Sequence, residues 1–154
     1  MLSQQEMDAL KQIARGIAGH FGSSCEVVIH ELSERSADNS IVAIENGHVS
    51  GRKVGDGPSH VVLEQLGQMD SDPEDHIGYL TRTPDGKILK SSSVYIRDGN
   101  GKIAAILGIN FDISALQMFD SALHEIISPD TREQKEPERI TLNVADLLDD
   151  LIRQ

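Results

Sequence analysis

The run Lys90-Ser91-Ser92-Ser93-Val94-Tyr95 holds the first side chains whose spacing suggests chemistry. Consecutive serines are poor strand formers, so something other than strand propensity favours them here. On a strand, Ser91, Ser93 and Tyr95 share one face. Small hydroxyls facing a cavity leave room for a ligand and offer it hydrogen bonds. The same face turned to solvent would need no ligand. Further on, Gly108-Ile109-Asn110-Phe111-Asp112 places Asn110 and Asp112 on one face at the end of an apolar strand. A buried amide there requires partners, from a ligand or from backbone. His30 lies within a strand beside Glu31 and reads as a hydrogen-bonded core or pocket histidine rather than a base. Arg52 follows a glycine and could pair with a ligand carboxylate in bidentate fashion. The candidate ligand-binding set is His30, Arg52, Ser91, Ser93, Tyr95, Asn110 and Asp112.

Other chemistries find little support. Gly51-Arg52-Lys53-Val54-Gly55-Asp56 has glycines four apart, but Asp56 stands where a phosphate-binding loop would carry its lysine. This segment reads as a structural turn. The histidines form neither a His-x-x-x-His pair nor a HExxH motif, and Cys25 is the one cysteine, so no metal site is expected. No nucleophile elbow occurs, and no carboxylate pair stands out for acid–base work. No catalytic residue and no cofactor is assigned. Aromatic residues are 3% of the chain, which argues against haem or flavin.

The elements that must position these residues can be read in order. Residues 3 to 21 carry Leu10, Ile13, Ile17 and Phe21 at helical spacing, with Met7 and Ala14 extending the stripe, Ser3 as N-cap and Gly22 as stop. Such a helix packs on a core or on its own copy. CEVVIHEL (25 to 32) and SIVAIEN (40 to 46) read as strands, the second ending in the turn signal Asn46-Gly47. Pro58 fits the first turn of a helix reaching about Met69. From Ile77, three strands follow, joined by the tight turns at Pro84-Asp85-Gly86 and Gly99-Asn100-Gly101, which force antiparallel neighbours. The last, KIAAILGINFDI, is the most apolar and belongs in the centre of the sheet. A helix over 113 to 127 follows, with Ser114 as candidate N-cap. A charged linker over 129 to 140 leads to a final helix capped by Asn143 or Thr141. The order predicts one sheet with helices on a face, an α+β architecture.

The 154 residues suit a single domain. A formal net charge of −11 repels phosphates, which argues against nucleic acid and anionic membrane surfaces as direct partners. A single cysteine suits a reducing, cytoplasmic location, and no apolar run approaches the roughly 20 residues needed to span a bilayer.

The stretches EVVIHEL, SIVAIENGHVSGRKVGD, LKSSSVYIRDGNGKIAAILGINFDIS and EPERITLNVADLLDDLIRQ together resemble the YheO-like PAS domain of bacterial helix-turn-helix transcriptional regulators. The combination, four fragments in order, is specific. One departure is His30-Glu31-Leu32, where the family often reads His-Asp-Leu. The resemblance implies a PAS-like five-stranded antiparallel sheet with flanking N- and C-terminal helices. It also implies a sensor domain over 1–128, a linker over 129–140, and over 141–154 the start of a connecting helix. That helix would lead toward a C-terminal DNA-binding domain, the chain being the sensor alone. The implied partners are a small polar metabolite, with amino-acid derivatives in view, and a second copy of the chain through the flanking helices. DNA would be contacted only through the missing domain. Two competing readings are a ligand-free dimerisation module, marked by a strand face filled with side chains, and a small metabolite-processing enzyme. Another sensor fold such as GAF fits the short meander less well.

Overall fold

The computed structural model describes residues 1–32, 37–58, 73–129 and 136–154. The helix expected over 58–69 lies, apart from Pro58, outside the described residues, as do residues 130–135 of the linker. The chain divides into two units, Met1–Gln117 and Met118–Gln154.

Helix α1 spans Gln4–Phe21 and opens with a reciprocal cap. The Glu6 amide donates to Ser3 Oγ at 3.1 Å and the Ser3 amide donates to the Glu6 carboxylate at 2.7 Å. Two orphan amide donors are satisfied at once. Gly22, at φ 89°, ends the helix as expected. The buried line keeps Met7, Leu10 and Ala14 of the expected stripe, with Ile17 partly buried beside them, but runs on to Ala18. Met7, Leu10, Ala14 and Ala18 are buried, whereas Ile13 and Phe21 are more than half exposed. The small side chains at 14 and 18 let the helix approach the sheet closely, and that contact fixes the rotation of α1.

The strands are β1 (Cys25–Glu31), β2 (Ile41–Glu45), β3 (His76–Arg82), β4 (Ile88–Arg97) and β5 (Ile103–Asp112). They form one five-stranded sheet in the order β2-β1-β5-β4-β3, every pairing antiparallel. β5, the most apolar strand, is the central one. Side chains alternate between faces, and the alternation divides β1 cleanly. Cys25, Val27 and Ile29 join Ala105 and Leu107 under α1 to make the apolar core. Glu26, Val28 and His30 point to the opposite face and are buried there too.

Register arranges that second face in rows. Glu26 lies beside Asn110 and Asn110 beside Ser91; Val28 beside Gly108 and Gly108 beside Ser93; His30 beside Ile106 and Ile106 beside Tyr95. A Cβ at Gly108 would stand 2.8 Å from Val28 Cγ1, so any other residue there would force Val28 to shift.

Helix α2 (Ser114–Ile127) follows β5 directly. Ser114 is its first residue rather than its cap: the Gln117 amide already donates to the Ile113 carbonyl. The Ser114 hydroxyl instead accepts from the Ile88 amide at 2.8 Å, tying the helix start to β4. In the second unit, helix α3 (Val144–Ile152) is capped by Asn143, whose side chain accepts from the Asp146 amide at 2.9 Å. Its apolar side chains Val144, Leu147, Leu148, Leu151 and Ile152 are all exposed.

Candidate functional site

The second face of the sheet carries a continuous polar line. Ser91 Oγ donates to Asn110 Oδ1 at 2.7 Å, and Asn110 Nδ2 donates to Glu26 Oε1 at 2.9 Å. Thr81 Oγ1 lies 2.8 Å from Ser91 Oγ. A hydroxyl has one proton, and that of Ser91 is committed, so Thr81 is the donor. The line ends in Glu26, a carboxylate with no exposed surface. Arg52 Nη2 donates to Oε1 at 2.7 Å, while the Ser50 amide, at 3.1 Å, and the Ser50 hydroxyl donate to Oε2. Each oxygen therefore accepts two donors. A charge can be buried at bearable cost only when paired and hydrogen-bonded in this way.

Arg52 reaches Glu26 because the segment after β2 is fixed. Asn46, in the left-handed region at φ 55°, turns its side-chain amide onto the Gly22 and Cys25 carbonyls at 3.1 and 2.8 Å. The Gly51 amide donates to the Gly47 carbonyl at 2.8 Å, and Lys87 Nζ donates to the Val49 carbonyl at 3.1 Å. A Cβ on Gly47 would meet the Arg52 carbonyl oxygen at 2.5 Å. Arg52 Nε then donates to Ser50 Oγ at 3.0 Å. The turn read from the glycine spacing is thus a cradle for one guanidinium.

A small cavity of about 20 Å³ opens beside this network. His30, Arg52, Ser93 and Asn110 line it, with Tyr79, Val28, Ile106 and Gly108. Tyr79 Oη lies 2.8 Å from Ser93 Oγ, and its ring stacks on His76 with centroids 4.1 Å apart. His30 Nδ1 sits 2.8 Å from Ser40 Oγ. Burial, and secondarily the charge of Arg52, lowers the His30 pKa to about 4, so the ring is neutral near pH 7.

The predicted residues separate into those at the cavity and those beside it. His30, Arg52, Ser93 and Asn110 converge. Ser91 belongs to the same face, but its hydroxyl is used between Thr81 and Asn110. Tyr95 packs on Ile106 with Leu32 and Ile103, and burial raises the pKa of its phenol. Asp112 serves the start of α2, where its Oδ1 accepts from the Ser114 amide at 3.0 Å and hydroxyl at 2.7 Å. Glu26 and Tyr79 were not among the candidates. Glu26 shares His30's parity on a strand whose residues 27 to 29 are all apolar, and that was the available signal. Among the described residues, no three of His, Cys, Asp and Glu converge to hold a metal ion. No helix among them is long and apolar enough to cross a membrane.

The chain is 28% identical over 155 residues to the Escherichia coli (strain K12) protein YheO, covering 98% of this chain and 61% of that one. It is 34% identical over 123 residues to the transcriptional regulator DauR of Pseudomonas aeruginosa, covering 80% and 55%. The chain thus spans about three fifths of the length of the curated relatives it matches. Among solved structures, the PAS domain of the fruit-fly ELK potassium channel aligns at 18% identity and a TM-score of 0.42, over 64% of this chain and 95% of that one. An RNA-binding light-oxygen-voltage receptor aligns at 14% identity and a TM-score of 0.45, over 84% and 40%. The model of the YheO-like PAS domain matches residues 1–128, a span that takes in α1, the whole sheet and α2, and the chain belongs to that family.

Proposed function

We propose that this chain is the sensing part of a cytoplasmic bacterial transcriptional regulator. A small polar molecule enters the cavity at His30, Arg52, Ser93 and Asn110. Its binding shifts the population of arrangements open to the helices that follow the sheet. The segment over 141–154 begins the connection to a DNA-binding domain, which alone touches DNA. The observation that carries this reading is the polar face itself. A sheet that buries a carboxylate, an imidazole and several hydroxyls opposite its apolar core accepts desolvation costs that an apolar face would avoid. The match to a relative named as a transcriptional regulator supports the regulatory context.

Calorimetric titration with a metabolite library tests the sensing step. Affinity for any hit should fall in Ser93→Val and in Asn110→Leu. Unchanged affinity in both would place the ligand elsewhere.

A second reading is favoured by one observation. A cavity of about 20 Å³ holds roughly one water. Meanwhile Ile13 and Phe21 on α1, and Leu116, Phe119 and Ile126 on α2, are exposed. A ligand-free dimerisation module would have both properties. Sedimentation equilibrium across a wide concentration range, together with an empty library screen, would favour it over sensing.

A further inference from the structure

We infer that the molecule taken by this cavity is a carboxylate, held by the free end of the Arg52 guanidinium. The inference rests on the sensing reading and narrows it to a ligand class.

The argument is one of donor and acceptor accounting. A buried carboxylate accepts about four hydrogen bonds. Glu26 receives four, from Arg52, Asn110 and the amide and hydroxyl of Ser50. It has nothing left for a ligand ammonium. A guanidinium carries five N–H groups. Arg52 commits Nε to Ser50 Oγ and one Nη2 proton to Glu26. Five less two leaves three, on Nη1 and Nη2, with no partner among the described residues. The pair is therefore asymmetric toward a ligand: its negative member is saturated and its positive member is not. The side chain of Arg52 keeps 21% of its surface exposed while Glu26 keeps none. The two remaining Nη groups present a fork that matches a carboxylate.

The other walls suit the rest of such a molecule. Ser93 and Tyr79 bring hydroxyls, and Val28 and Ile106 supply apolar surface. Gly108 lines the cavity without a side chain, and a Cβ there would press on Val28 Cγ1 at 2.8 Å. Among the described residues no carboxylate lines the cavity. The volume sets the scale: formate needs little more room than the water it displaces. Larger acids require a wall to move, and Tyr79, on the edge strand, is held to the cavity by its contact with Ser93.

The test uses the full chain and two matched panels: formate, acetate, lactate and pyruvate, against formamide, acetamide, lactamide and pyruvamide. Amide NMR spectra are followed at Gly108 and Ser93, with the Arg52 Nε–H signal as a direct probe. The acids should perturb these signals in a saturable way and the amides should not. Arg52→Lys keeps a cation beside Glu26 but loses the fork, so acid affinity should fall roughly tenfold or more while the spectrum stays folded. Arg52→Gln serves as a second variant, judged only if its spectrum is folded, and should bind no acid. Amides binding as well as acids, or acids binding equally to Arg52→Lys, would overturn the carboxylate assignment and leave sensing intact. Silence from every acid also overturns it. In that case hits among uncharged library compounds keep the sensing reading, and an empty library ends both.

Discussion

Replacing Glu26 by glutamine keeps the shape of the side chain and removes its charge. The amide offers one acceptor oxygen where the carboxylate offers two. Whichever way it turns, its NH2 group faces donors: Arg52 Nη2 and Asn110 Nδ2 on one side, the Ser50 amide and hydroxyl on the other. The Ser50 hydroxyl can rotate to accept, but its backbone amide cannot. At least one buried donor loses its partner, at about 1–3 kcal/mol, and the charge-assisted contact to Arg52 weakens by a comparable amount. Arg52 keeps some solvent, so the full penalty for an orphaned buried charge does not apply. The expected destabilisation is about 3 kcal/mol, or a fall in Tm of roughly 10–15 °C for a unit of this size. Urea unfolding followed by tyrosine fluorescence is well placed to measure it, because Tyr79 and Tyr95 both lie in the sheet and the chain has no tryptophan. A double-mutant cycle with Arg52→Gln should show the pair sparing each other by at least about 1 kcal/mol. A loss under about 1 kcal/mol at unchanged m-value, or strict additivity, would refute the view that Glu26 depends on these four donors.

Three further outcomes follow from the same geometry. The folded pKa of His30, about 4, lies below its unfolded value, so the unfolded chain binds the proton first; the contribution is whole above about pH 6.5 and is lost as pH falls toward 4. Between about pH 7.5 and pH 5 the protein should lose about 2 kcal/mol that His30→Gln does not lose, as read by urea midpoints at both pH values. Gly47→Ala places a methyl 2.5 Å from the Arg52 carbonyl and should cost about 1–3 kcal/mol in the same assay; a neutral result would mean that the segment is not fixed as described. Gly16→Ala, in the exposed middle of α1 with nothing within 4 Å, should raise stability by up to about 1 kcal/mol, and a fall would indicate an unrecognised close contact.

Local features were legible because their causes are local. Ser3 with Glu6 announces a cap within one helical turn, and Asp98-Gly99-Asn100-Gly101 closes a hairpin whose Asp98 amide donates to the Lys102 carbonyl at 2.9 Å. The face of α1 was harder to read. Ala14 and Ala18 are buried against the sheet while Ile13 is exposed and Phe21 meets Phe111 of β5 only edge-on, and that choice depends on how closely strand side chains allow the helix to approach. The roles of polar residues were hardest. Ser91 and Ser93 look alike in sequence, and the difference lies in their partners on other strands: Thr81 and Asn110 for one, Tyr79 for the other. Asn110 and Asp112 share a face, but β5 ends at Asp112 and the nearby orphan amide of a helix start captures its carboxylate. Glu26 finds its cation 26 residues away.

These partnerships also divide the polar face by what each row can do. The row of Glu26, Asn110 and Ser91 is bonded end to end, and a ligand could join it only by breaking a bond already made. The row of Val28, Gly108 and Ser93 holds a glycine where a side chain would fit poorly, and the cavity lies along it. The row proposed for recognition therefore lies beside the bonded row, with Arg52 next to both: one of its N–H groups goes to Glu26 and another to Ser50. A carboxylate held by the uncommitted N–H groups of Arg52 would leave the Nη2 contact to Glu26 in place. On the proposed reading, one guanidinium would join the ligand to Glu26 on β1, which Asn110 ties to β5.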